Sequence, residues 1–360
     1  MRVAVIGAGQ LGRMLALAGY PLGIRCEFYD RSADTPGGQV GPIVSGAFDD
    51  LERLADLARR ADVVTFDWEN VPVTSLAPLV RLAPVYPQPA ALAVAQDRLL
   101  EKTLFRDLGI PTPPFAPVDL RQDLEAAVAR LGLPGILKTR RFGYDGKGQA
   151  RLRSRADLDA AWRALGGEPL IYEGFVRFSR ELSLIGVQST RGEVAFYPLA
   201  ENVHEHGILA VTRAPDRSVA LQRAAERHMR AVFDRFGYVG VLAIEFFVAG
   251  GRLIANEMAP RVHNSGHWTI EGAETSQFEN HLRAILGLPL GPTAARGHAA
   301  MLNFVGRMPD LRRALAVPGL HLHDYGKREA RPGRKLGHAT VVAPSAPARD
   351  AALRRLKRLR

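Results

Sequence analysis

The feature that most constrains the fold is a pair of apolar runs joined by a glycine pair late in the chain. Residues 241–248 are apolar except for Glu245, and residues 252–258 continue after the turn at Gly251. Two such runs around adjacent glycines indicate a β-hairpin. If the loop has three residues centred on Gly251, Glu245 lies directly opposite Glu257. We therefore expect a sheet that carries two facing carboxylates.

Two carboxylates in facing positions conflict with each other. Cross-strand partners lie about 4.5–5.5 Å apart, and like charges at that distance destabilise the sheet. A divalent cation between Glu245 and Glu257 would remove the conflict, and all-oxygen ligands suit Mg²⁺, with Mn²⁺ as a second choice. The alternative is that Glu245 lies on a solvated face beside an arginine, and the hairpin by itself leaves both interpretations open.

Length and apolar content limit the class of protein. The chain has 360 residues, of which 47% are hydrophobic, so two or three domains with sizeable cores are expected. No apolar run reaches the roughly 18 residues that span a bilayer, and we expect neither a signal peptide nor a membrane partner. The single cysteine, Cys26, excludes an intramolecular disulfide and fits the reducing cytoplasm.

The basic residues are numerous but scattered. A formal net charge of +11 raises the possibility of a nucleic-acid partner. No platform of interleaved aromatic and basic residues is present, however, and we expect no nucleic-acid partner. Six of the 48 basic residues are lysines, which marks retained lysines as sites that need a compact ammonium group. Four of them lie in glycine-marked segments: Lys138, Lys147, Lys327 and Lys335. The tail 349–360 is expected to be a solvated amphipathic helix.

The N-terminal residues have the pattern of a dinucleotide-binding turn. A short apolar strand, residues 2–6, runs into the glycines of residues 7–12, and a second strand ends at Asp30. This pattern keeps a nicotinamide-dependent oxidoreductase open, although the same strand, turn and helix occur in folds that bind other anions. A further strand, residues 62–66, ends beside Asp67 and Glu69, where α/β sheets place ligand contacts. Glu69 could equally be a solvated loop acid.

A second unit begins after the prolines of residues 84–89. One helix over residues 90–108 leads to a linker, a helix near 123–131 and a strand at 135–138. The loop 140–149 that follows contains three glycines around Lys147, so its backbone N–H groups could approach phosphates. It lacks the Walker A pattern, and a plain hairpin turn is the alternative.

The middle of the chain offers a possible adenine site. A strand at 170–173 ends in a linker of Gly174, Phe175 and Val176, which could offer backbone groups to an adenine. The next strand begins at residue 180 and carries Glu181, an acid suited to a ribose. We expect the following segment, with Asn202, His204 and Gly207, to be a loop.

The run 256–269 concentrates reactive side chains and includes the sequence HNSGHWT at 263–269. Together with residues 7–13, 96–98, 143–149, 181–183 and 202–209, this run resembles the 5-(carboxyamino)imidazole ribonucleotide synthase (PurK) family of the ATP-grasp superfamily. The resemblance covers nearly the whole chain. The HNSGHWT run is its discriminating part, because formate-using and biotin-dependent carboxylases share the grasp but carry other residues there.

The resemblance implies an α/β protein with an ATP-grasp fold. It divides the chain into an N-terminal doubly wound, Rossmann-like domain (1–95), an ATP-grasp domain (96–290) with a mobile lid at about 112–172, and a small C-terminal domain (291–360). It also implies a homodimer in the cytoplasm. The substrates would be ATP, bicarbonate and 5-aminoimidazole ribonucleotide, and the products 5-(carboxyamino)imidazole ribonucleotide, ADP and phosphate. Such a reaction is a ligase step of purine biosynthesis, with carboxyphosphate as the intermediate.

The resemblance also assigns site residues by position. The ATP contacts would be Arg98, Lys138, Gly143, Tyr144, Asp145, Gly146, Lys147, Gly148, Gln149, Glu173, Gly174, Phe175, Val176, Glu181, His204, Asn256 and Glu257. The ribonucleotide contacts would be Glu69, Tyr144, Asp145, Arg261, His263, Asn264, Ser265, Lys327 and Arg334. Four of these residues would be catalytic: Asp145, Arg261, His263 and Asn264. Glu245 and Glu257 would hold the metal. Residues 66–68 depart from the family pattern just before Glu69.

Overall fold

The computed structural model describes residues 1–143 and 146–359, and its first unit is a parallel sheet between helices. The strands lie in the order β3-β2-β1-β4, with bounds β1 (Arg2–Ile6), β2 (Arg25–Asp30), β3 (Ile43–Ser45) and β4 (Val63–Phe66). The helices are α1 (Gln10–Gly19), α2 (Leu51–Arg59) and α3 (Val73–Leu76). Val3 and Val5 pack in one core, and Ala4 and Ile6 in another, so β1 is buried on both faces. The expected doubly wound unit is confirmed.

Two helices follow where the sequence predicted one. α4 (Pro89–Ala95) and α5 (Arg98–Asp107) are separated at Gln96 and Asp97. The carboxylate of Asp97 accepts hydrogen bonds from the backbone N–H groups of Leu99 (3.0 Å) and Leu100 (3.4 Å). An aspartate that binds these N–H groups starts a new helix instead of continuing the old one. The expectation of a single helix over residues 90–108 is therefore wrong.

The second sheet is antiparallel and has helices packed against it. Its order is β5-β8-β6-β7, with bounds β5 (Phe115–Val118), β6 (Gly135–Thr139), β7 (Gln149–Leu152) and β8 (Leu170–Gly174). The helices α6 (Arg121–Leu131) and α7 (Leu158–Leu165) share a core with it through Leu124, Leu137, Leu158 and Tyr172. This sheet occupies the segment in which we expect the lid, and the motion of that segment stays a prediction.

The third sheet is the largest in the described chain and is antiparallel. Its main order is β14-β13-β9-β11-β12-β15-β17-β16, and β10 pairs with β9. The bounds are β9 (Arg180–Gln188), β10 (Val194–Phe196), β11 (Ala200–Glu205), β12 (Ile208–Ala214), β13 (Gly240–Ala249), β14 (Arg252–Ala259), β15 (His298–Val305), β16 (Leu320–Asp324) and β17 (Lys335–Ala343). The strands after residue 291 thus extend this sheet, and the expected domain limits stay predictions.

Helices cover both faces of the large sheet. Their bounds are α8 (Val219–Phe236), α9 (Thr269–Gly272), α10 (Gln277–Ile285), α11 (Leu311–Leu315) and α12 (Ala346–Lys357). On β13, Val241 packs in the core shared with α1 and α10, whereas Leu242 packs in the core shared with α8. A strand buried on both faces needs a continuous apolar run, which explains why residues 241–248 show no alternation.

The hairpin of β13 and β14 has the expected residue pairing but not the expected loop. Glu245 pairs with Glu257, as predicted. The loop, however, contains only Gly250 and Gly251, both with positive φ (55° and 75°), and Ala249 pairs with Arg252. A two-residue loop alone would place Asn256 opposite Glu245. A β-bulge at Asn256 shifts the register by one residue, so the prediction of a three-residue loop is wrong while its consequence is right.

Two further expectations about local structure need correction. Asn202 and His204 lie on strand β11 rather than in a loop, because β11 is paired on both sides, with β9 and β12. The tail helix α12 is not wholly solvated, since Leu353 and Leu356 pack in the same core as β15 and β17. Within residues 1–143 and 146–359, no helix combines the length and apolar character needed to cross a membrane.

Candidate active site

The two facing carboxylates form one end of the site. Burial and the nearby charge of Glu257 raise the pKa of Glu245 to about 7. Burial also acts on Glu257, but the cations Arg98 and Lys138 outweigh it and lower the pKa of Glu257. The amide oxygen of Asn256, the bulged residue just before Glu257, is buried and has no hydrogen-bond partner among residues 1–143 and 146–359. Two facing carboxylates whose pKa values are shifted in opposite directions, together with an unsatisfied amide oxygen on the residue next to Glu257, are a donor set that fits a hard divalent cation.

Arg98 joins this acidic end to the glycine loop. One guanidinium nitrogen lies 3.1 Å from Glu257 Oε2, and the other donates to the carbonyl of Gly143 at 3.1 Å. The position of Arg98 follows from the Asp97 cap, which makes it the first residue of α5. An arginine held by both groups is placed to meet an anion between the loop and the carboxylates.

Lys138 forms a buried ion pair with Glu173. The ammonium lies 2.8 Å from Glu173 Oε2, and less than a tenth of either residue is exposed. Lys102 lies 4.0 Å from the same oxygen. Burial raises the pKa of Glu173, but Lys102 and Lys138 outweigh it and lower that pKa to about 2. The acid is therefore ionised, and it keeps a lysine charge inside the site.

The glycine loop closes the hairpin of β6 and β7. The N–H of Thr139 donates to the carbonyl of Gly148 at 2.8 Å, and Gln149 pairs with Lys138. Gly146 and Gly148 both have positive φ (79° and 69°), which explains why glycine is used there. The predicted site residues Tyr144 and Asp145 lie outside the described residues. Lys147 is within them, on the same loop.

The linker after β8 is partly engaged by the protein itself. The N–H of Gly174 donates to the carbonyl of Pro114 (2.8 Å), and that of Phe175 to the carbonyl of Pro134 (3.1 Å). Arg151 covers the ring of Phe175, with its guanidinium carbon 4.3 Å from the ring centroid. An adenine at this linker would thus meet carbonyl groups or Val176 rather than these two N–H groups.

Glu181 and His204 form a pair on neighbouring strands. His204 Nδ1 lies 2.7 Å from Glu181 Oε2, with a β-bulge of β11 just before His204. Burial lowers the pKa of His204, but the Glu181 hydrogen bond and the charge of Glu245 outweigh it and raise that pKa to about 9. The imidazole is therefore cationic near neutral pH, which suits contact with a phosphate or a ribose hydroxyl.

Arg261 and Glu69 bring the first sheet and the large sheet together. Arg261 Nη2 lies 2.6 Å from Glu69 Oε2, and both side chains are at least two-thirds buried. Arg261 also donates to the carbonyl of Val262 at 3.0 Å. The two residues predicted for the ribonucleotide are therefore in contact, although they come from distant parts of the chain.

His263 lies next to the carboxylate pair. Its Nδ1 accepts the N–H of Ser265 at 3.3 Å, which leaves the ring proton on Nε2, 3.7 Å from Glu245 Oε1. Burial and the charges of Arg261 and Lys335 hold the pKa of His263 well below its usual range, so the ring is neutral. Ser265 itself is fully buried.

Asn264 is anchored to strand β15. Its amide exchanges two hydrogen bonds with Asn303 on β15, at 2.7 and 3.1 Å. Asn303 also donates to the carbonyl of Leu209 at 2.8 Å. Asn264 therefore helps to hold the HNSGHWT run against the large sheet.

The C-terminal cations occupy the segment between β16 and β17. The ammonium of Lys327 donates to the carbonyl of Lys335 at 2.8 Å, and Arg334 donates to the carbonyl of Glu329 at 3.1 Å. Lys335, which the sequence marked as a retained lysine but did not assign a site contact, is close enough to affect the pKa of both Glu245 and His263. Its position at the start of β17, beside two predicted contacts, was the available signal.

Glu101 and Lys102 were also missed. Both are almost completely buried on α5, although each carries an ionisable group. They share a helical stripe with the buried residues Leu104 and Phe105, and charges on an apolar stripe are the signal that could have revealed them.

The glycine turn near the N-terminus is filled by the protein's own carboxylates. Asp67 Oδ2 accepts the N–H of Gly12 at 2.9 Å, and Asp30 Oδ2 accepts the N–H of Ala8 at 2.8 Å. A side chain on Gly7 would place its Cβ 2.0 Å from Asp67 Oδ1. Burial raises the pKa of Asp67 to about 6. Because Asp67 binds the N–H of Gly12 and lies against Gly7, it fills the turn to which a pyrophosphate would have to bind, and the structure gives no support to a nicotinamide-dependent oxidoreductase.

Comparison with protein families assigns most of the chain. The ATP-grasp domain matches residues 103–278, and the ribonucleotide synthetase preATP-grasp domain matches residues 1–96. The phosphoribosylaminoimidazole carboxylase C-terminal domain matches residues 299–352.

Full-length relatives agree with this assignment. The N5-carboxyaminoimidazole ribonucleotide synthase of Pseudomonas aeruginosa is 53% identical over 341 residues, which is 95% of this chain and 94% of that protein. The synthase of Bacillus subtilis is 37% identical over 94% of this chain and 91% of its own length.

Solved structures show the same fold. N5-carboxyaminoimidazole ribonucleotide synthetase from Thermus thermophilus superposes with a TM-score of 0.95 at 54% identity, covering 99% of this chain and 98% of that one. The Aspergillus clavatus synthase in complex with ADP and 5-aminoimidazole ribonucleotide gives a TM-score of 0.93 at 33% identity, covering 99% of this chain and 98% of that one.

Proposed function

Since the chain belongs to the N5-carboxyaminoimidazole ribonucleotide synthase family of ATP-grasp enzymes, we propose that it joins bicarbonate to 5-aminoimidazole ribonucleotide at the cost of one ATP. The products are N5-carboxyaminoimidazole ribonucleotide, ADP and phosphate, and the step belongs to purine biosynthesis. The observation that carries this proposal is the match over nearly the whole chain to a structure with ADP and 5-aminoimidazole ribonucleotide bound.

We propose that ATP lies between the β6–β7 glycine loop and the large sheet. Lys138, Lys147 and Arg98 are the cations that would face its phosphates, and the Glu173–Val176 linker would face its adenine. The ion pair of Lys138 with Glu173 supports this placement, because it holds an ammonium group at fixed depth inside the site. The cationic His204 and its partner Glu181 would complete the nucleotide contacts.

We propose Mg²⁺, with Mn²⁺ as a substitute, as the metal. Glu245 and Glu257 would hold it, and its chemistry when bound is to neutralise phosphate charge during phosphoryl transfer. The raised pKa of Glu245 beside Glu257 and the orphaned oxygen of Asn256 support this assignment.

The reaction that we propose has two steps. An oxygen of bicarbonate forms a bond to the γ-phosphorus while the bond to the β-phosphate oxygen breaks, giving carboxyphosphate and ADP. The exocyclic amine then forms a bond to the carboxyl carbon, the C–O bond to phosphate breaks, and the amine loses a proton. Carboxyphosphate hydrolyses readily, so it must form beside the amine with water excluded.

The chain's residues would bind and orient these reactants. Arg261, fixed by Glu69, would face an anion or a ribose hydroxyl, and the neutral His263 would orient the imidazole through its Nε2–H. Lys327 and Arg334, together with Lys335, would bind the 5′-phosphate. The amine's proton would pass to Asp145 or to the departing phosphate. We further propose that the enzyme is a cytoplasmic homodimer.

Phosphate release from ATP tests the proposed function. Release should depend on both bicarbonate and 5-aminoimidazole ribonucleotide, and the same mixture without either should give a much lower rate. Rapid phosphate release at a rate that does not depend on the ribonucleotide would contradict the proposal. NAD(P)H binding without ATP turnover would also contradict it.

A further inference from the structure

The outer edge of β14 is covered by two ionisable side chains of α5. Because β14 is the edge strand of the large sheet, no strand in the described part of the chain pairs with its outward backbone groups. The ammonium of Lys102 donates to the carbonyls of Asn256 and Ala255, the latter at 3.4 Å. The carboxylate of Glu101 accepts the N–H of Met258 at 2.7 Å.

These contacts surround the bulged residue. The bonded groups belong to Ala255, Asn256 and Met258, on both sides of the register shift that puts Glu257 opposite Glu245. Thr112 adds a second donor to the carbonyl of Ala255 at 2.9 Å. A bulge removes ladder hydrogen bonds, so partners on the outer edge decide whether it persists.

The bulge determines which face of the sheet Glu257 occupies. Without it, the two-residue loop would place Asn256 opposite Glu245 and turn Glu257 to the other face, because side chains alternate along a strand. The facing carboxylates therefore depend on one extra residue in β14. Nothing in the sequence of the hairpin itself requires that extra residue.

We propose that Glu101 and Lys102 are positioning residues that fix the Asn256 bulge and thereby hold Glu257 beside Glu245 for the metal. This inference rests on the proposed function in that it takes the two carboxylates as the metal ligands. Neither side chain needs to touch a substrate: Lys102 satisfies two carbonyls and Glu101 one N–H of the strand that carries Glu257.

The test compares variants that keep or remove the outer partners. Glu101→Gln keeps an oxygen acceptor for the Met258 N–H, whereas Glu101→Leu and Lys102→Met remove a partner without opening a large cavity. Two measurements are made on each full-length protein: backbone hydrogen exchange of residues 252–259 without metal, and Mn²⁺ affinity by electron paramagnetic resonance with a non-hydrolysable ATP analogue present.

We expect Glu101→Leu and Lys102→Met to raise exchange in residues 252–259 and to weaken Mn²⁺ binding by about tenfold or more, the effect of misplacing a ligand. Glu101→Gln should stay within about twofold of the parent in both measurements, since its amide oxygen accepts the same bond. Leu104→Ala is the matched control on the same helix, and it should lower thermal stability while leaving Mn²⁺ affinity unchanged.

Three outcomes would overturn the inference. Unchanged Mn²⁺ affinity in a folded Lys102→Met or Glu101→Leu protein would show that the side chain removed in that variant does not fix the metal ligand, which contradicts the inference. Equal damage from Glu101→Gln and Glu101→Leu would show that the acceptor is not what matters. If Leu104→Ala weakens Mn²⁺ binding as much as Glu101→Leu and Lys102→Met do, the weaker binding would result from a general loss of stability. If the parent shows no ribonucleotide-dependent ATP turnover, the proposed function fails, and hydrogen exchange still decides whether the two side chains hold the bulge.

Discussion

Buried carboxylates are the individual residues that set the chemistry of this protein. Asp67, Glu101, Glu173 and Glu245 are at least four-fifths buried, and each has a definite partner or a facing charge. The sequence revealed Glu245 because a lone acid in an apolar strand is conspicuous. It did not reveal the burial of Asp67 or Glu101, since their partners are backbone groups of distant segments.

Asp67→Asn should remove a pH dependence of stability. The pKa of Asp67 is raised to about 6 in the folded protein, so the folded state holds this proton more tightly than the unfolded state. The free energy of unfolding therefore falls as the pH rises from about 3.8 to about 6, by up to about 3 kcal/mol at roughly 1.4 kcal/mol per pKa unit. Urea unfolding of parent and variant from pH 4.5 to 7 measures the difference. Asp56→Asn, at an exposed site on α2, should keep the parent slope.

Glu257→Gln should reduce ATP turnover by at least about 100-fold while the fold stays intact, because it removes a charged ligand without changing side-chain volume. Ribonucleotide-dependent phosphate release measures the loss, and circular dichroism with thermal unfolding checks the fold. Normal release at ordinary Mg²⁺ concentrations would contradict the assignment of the carboxylate pair.

At the scale of elements, the hairpin and the glycine loop place most of the proposed ATP contacts. The facing glutamates could be predicted from residues 241–258 because glycine pairs and apolar runs are local signals. The bulge at Asn256 could not, because its support comes from α5, more than 150 residues earlier. The break between α4 and α5 was readable in principle, since Asp97 is a standard N-cap residue.

Lys147→Ala should weaken ATP binding more than ribonucleotide binding. Lys147 lies on the loop between β6 and β7 that we place over the nucleotide phosphates, and one charged hydrogen bond is worth about tenfold or more in affinity. The KM values for ATP and for the ribonucleotide are measured separately. Lys357→Ala, on α12, is the control lysine variant and should leave both constants unchanged. An unchanged KM for ATP in Lys147→Ala would mean that the loop is only a turn.

For the whole molecule, the site depends on contacts between segments that are distant in sequence. Arg261 meets Glu69 from the first sheet, and Asn264 meets Asn303 on β15. Local patterns identified the segments that carry Glu69, Arg261 and Asn264, but they identified neither the Asn303 strand nor these contacts, and the family resemblance supplied the grouping. The glycine turn at residues 7–12 suggested a dinucleotide site for the same reason, because only the folded chain shows that Asp67 fills the turn.

Lys327→Ala and Arg334→Ala should each raise the KM for the ribonucleotide strongly while the affinity for ATP barely changes. The reason is that a clamp on the 5′-phosphate is remote from the reacting amine, so kcat falls only if phosphate binding also positions the amine. Arg331→Ala, an exposed neighbour paired with Glu329, is the matched control. Parent KM values in both variants, or a loss of ATP affinity instead, would make these cations ordinary surface charges.

Transfer of oxygen from bicarbonate to phosphate tests the proposed reaction most directly. With ¹⁸O-labelled bicarbonate, ATP and 5-aminoimidazole ribonucleotide, the attacking oxygen stays on phosphorus when the C–O bond breaks. Mass spectrometry should therefore find one ¹⁸O in each phosphate released while the carboxylated ribonucleotide accumulates. Phosphate that carries only unlabelled oxygen would contradict attack by bicarbonate on ATP.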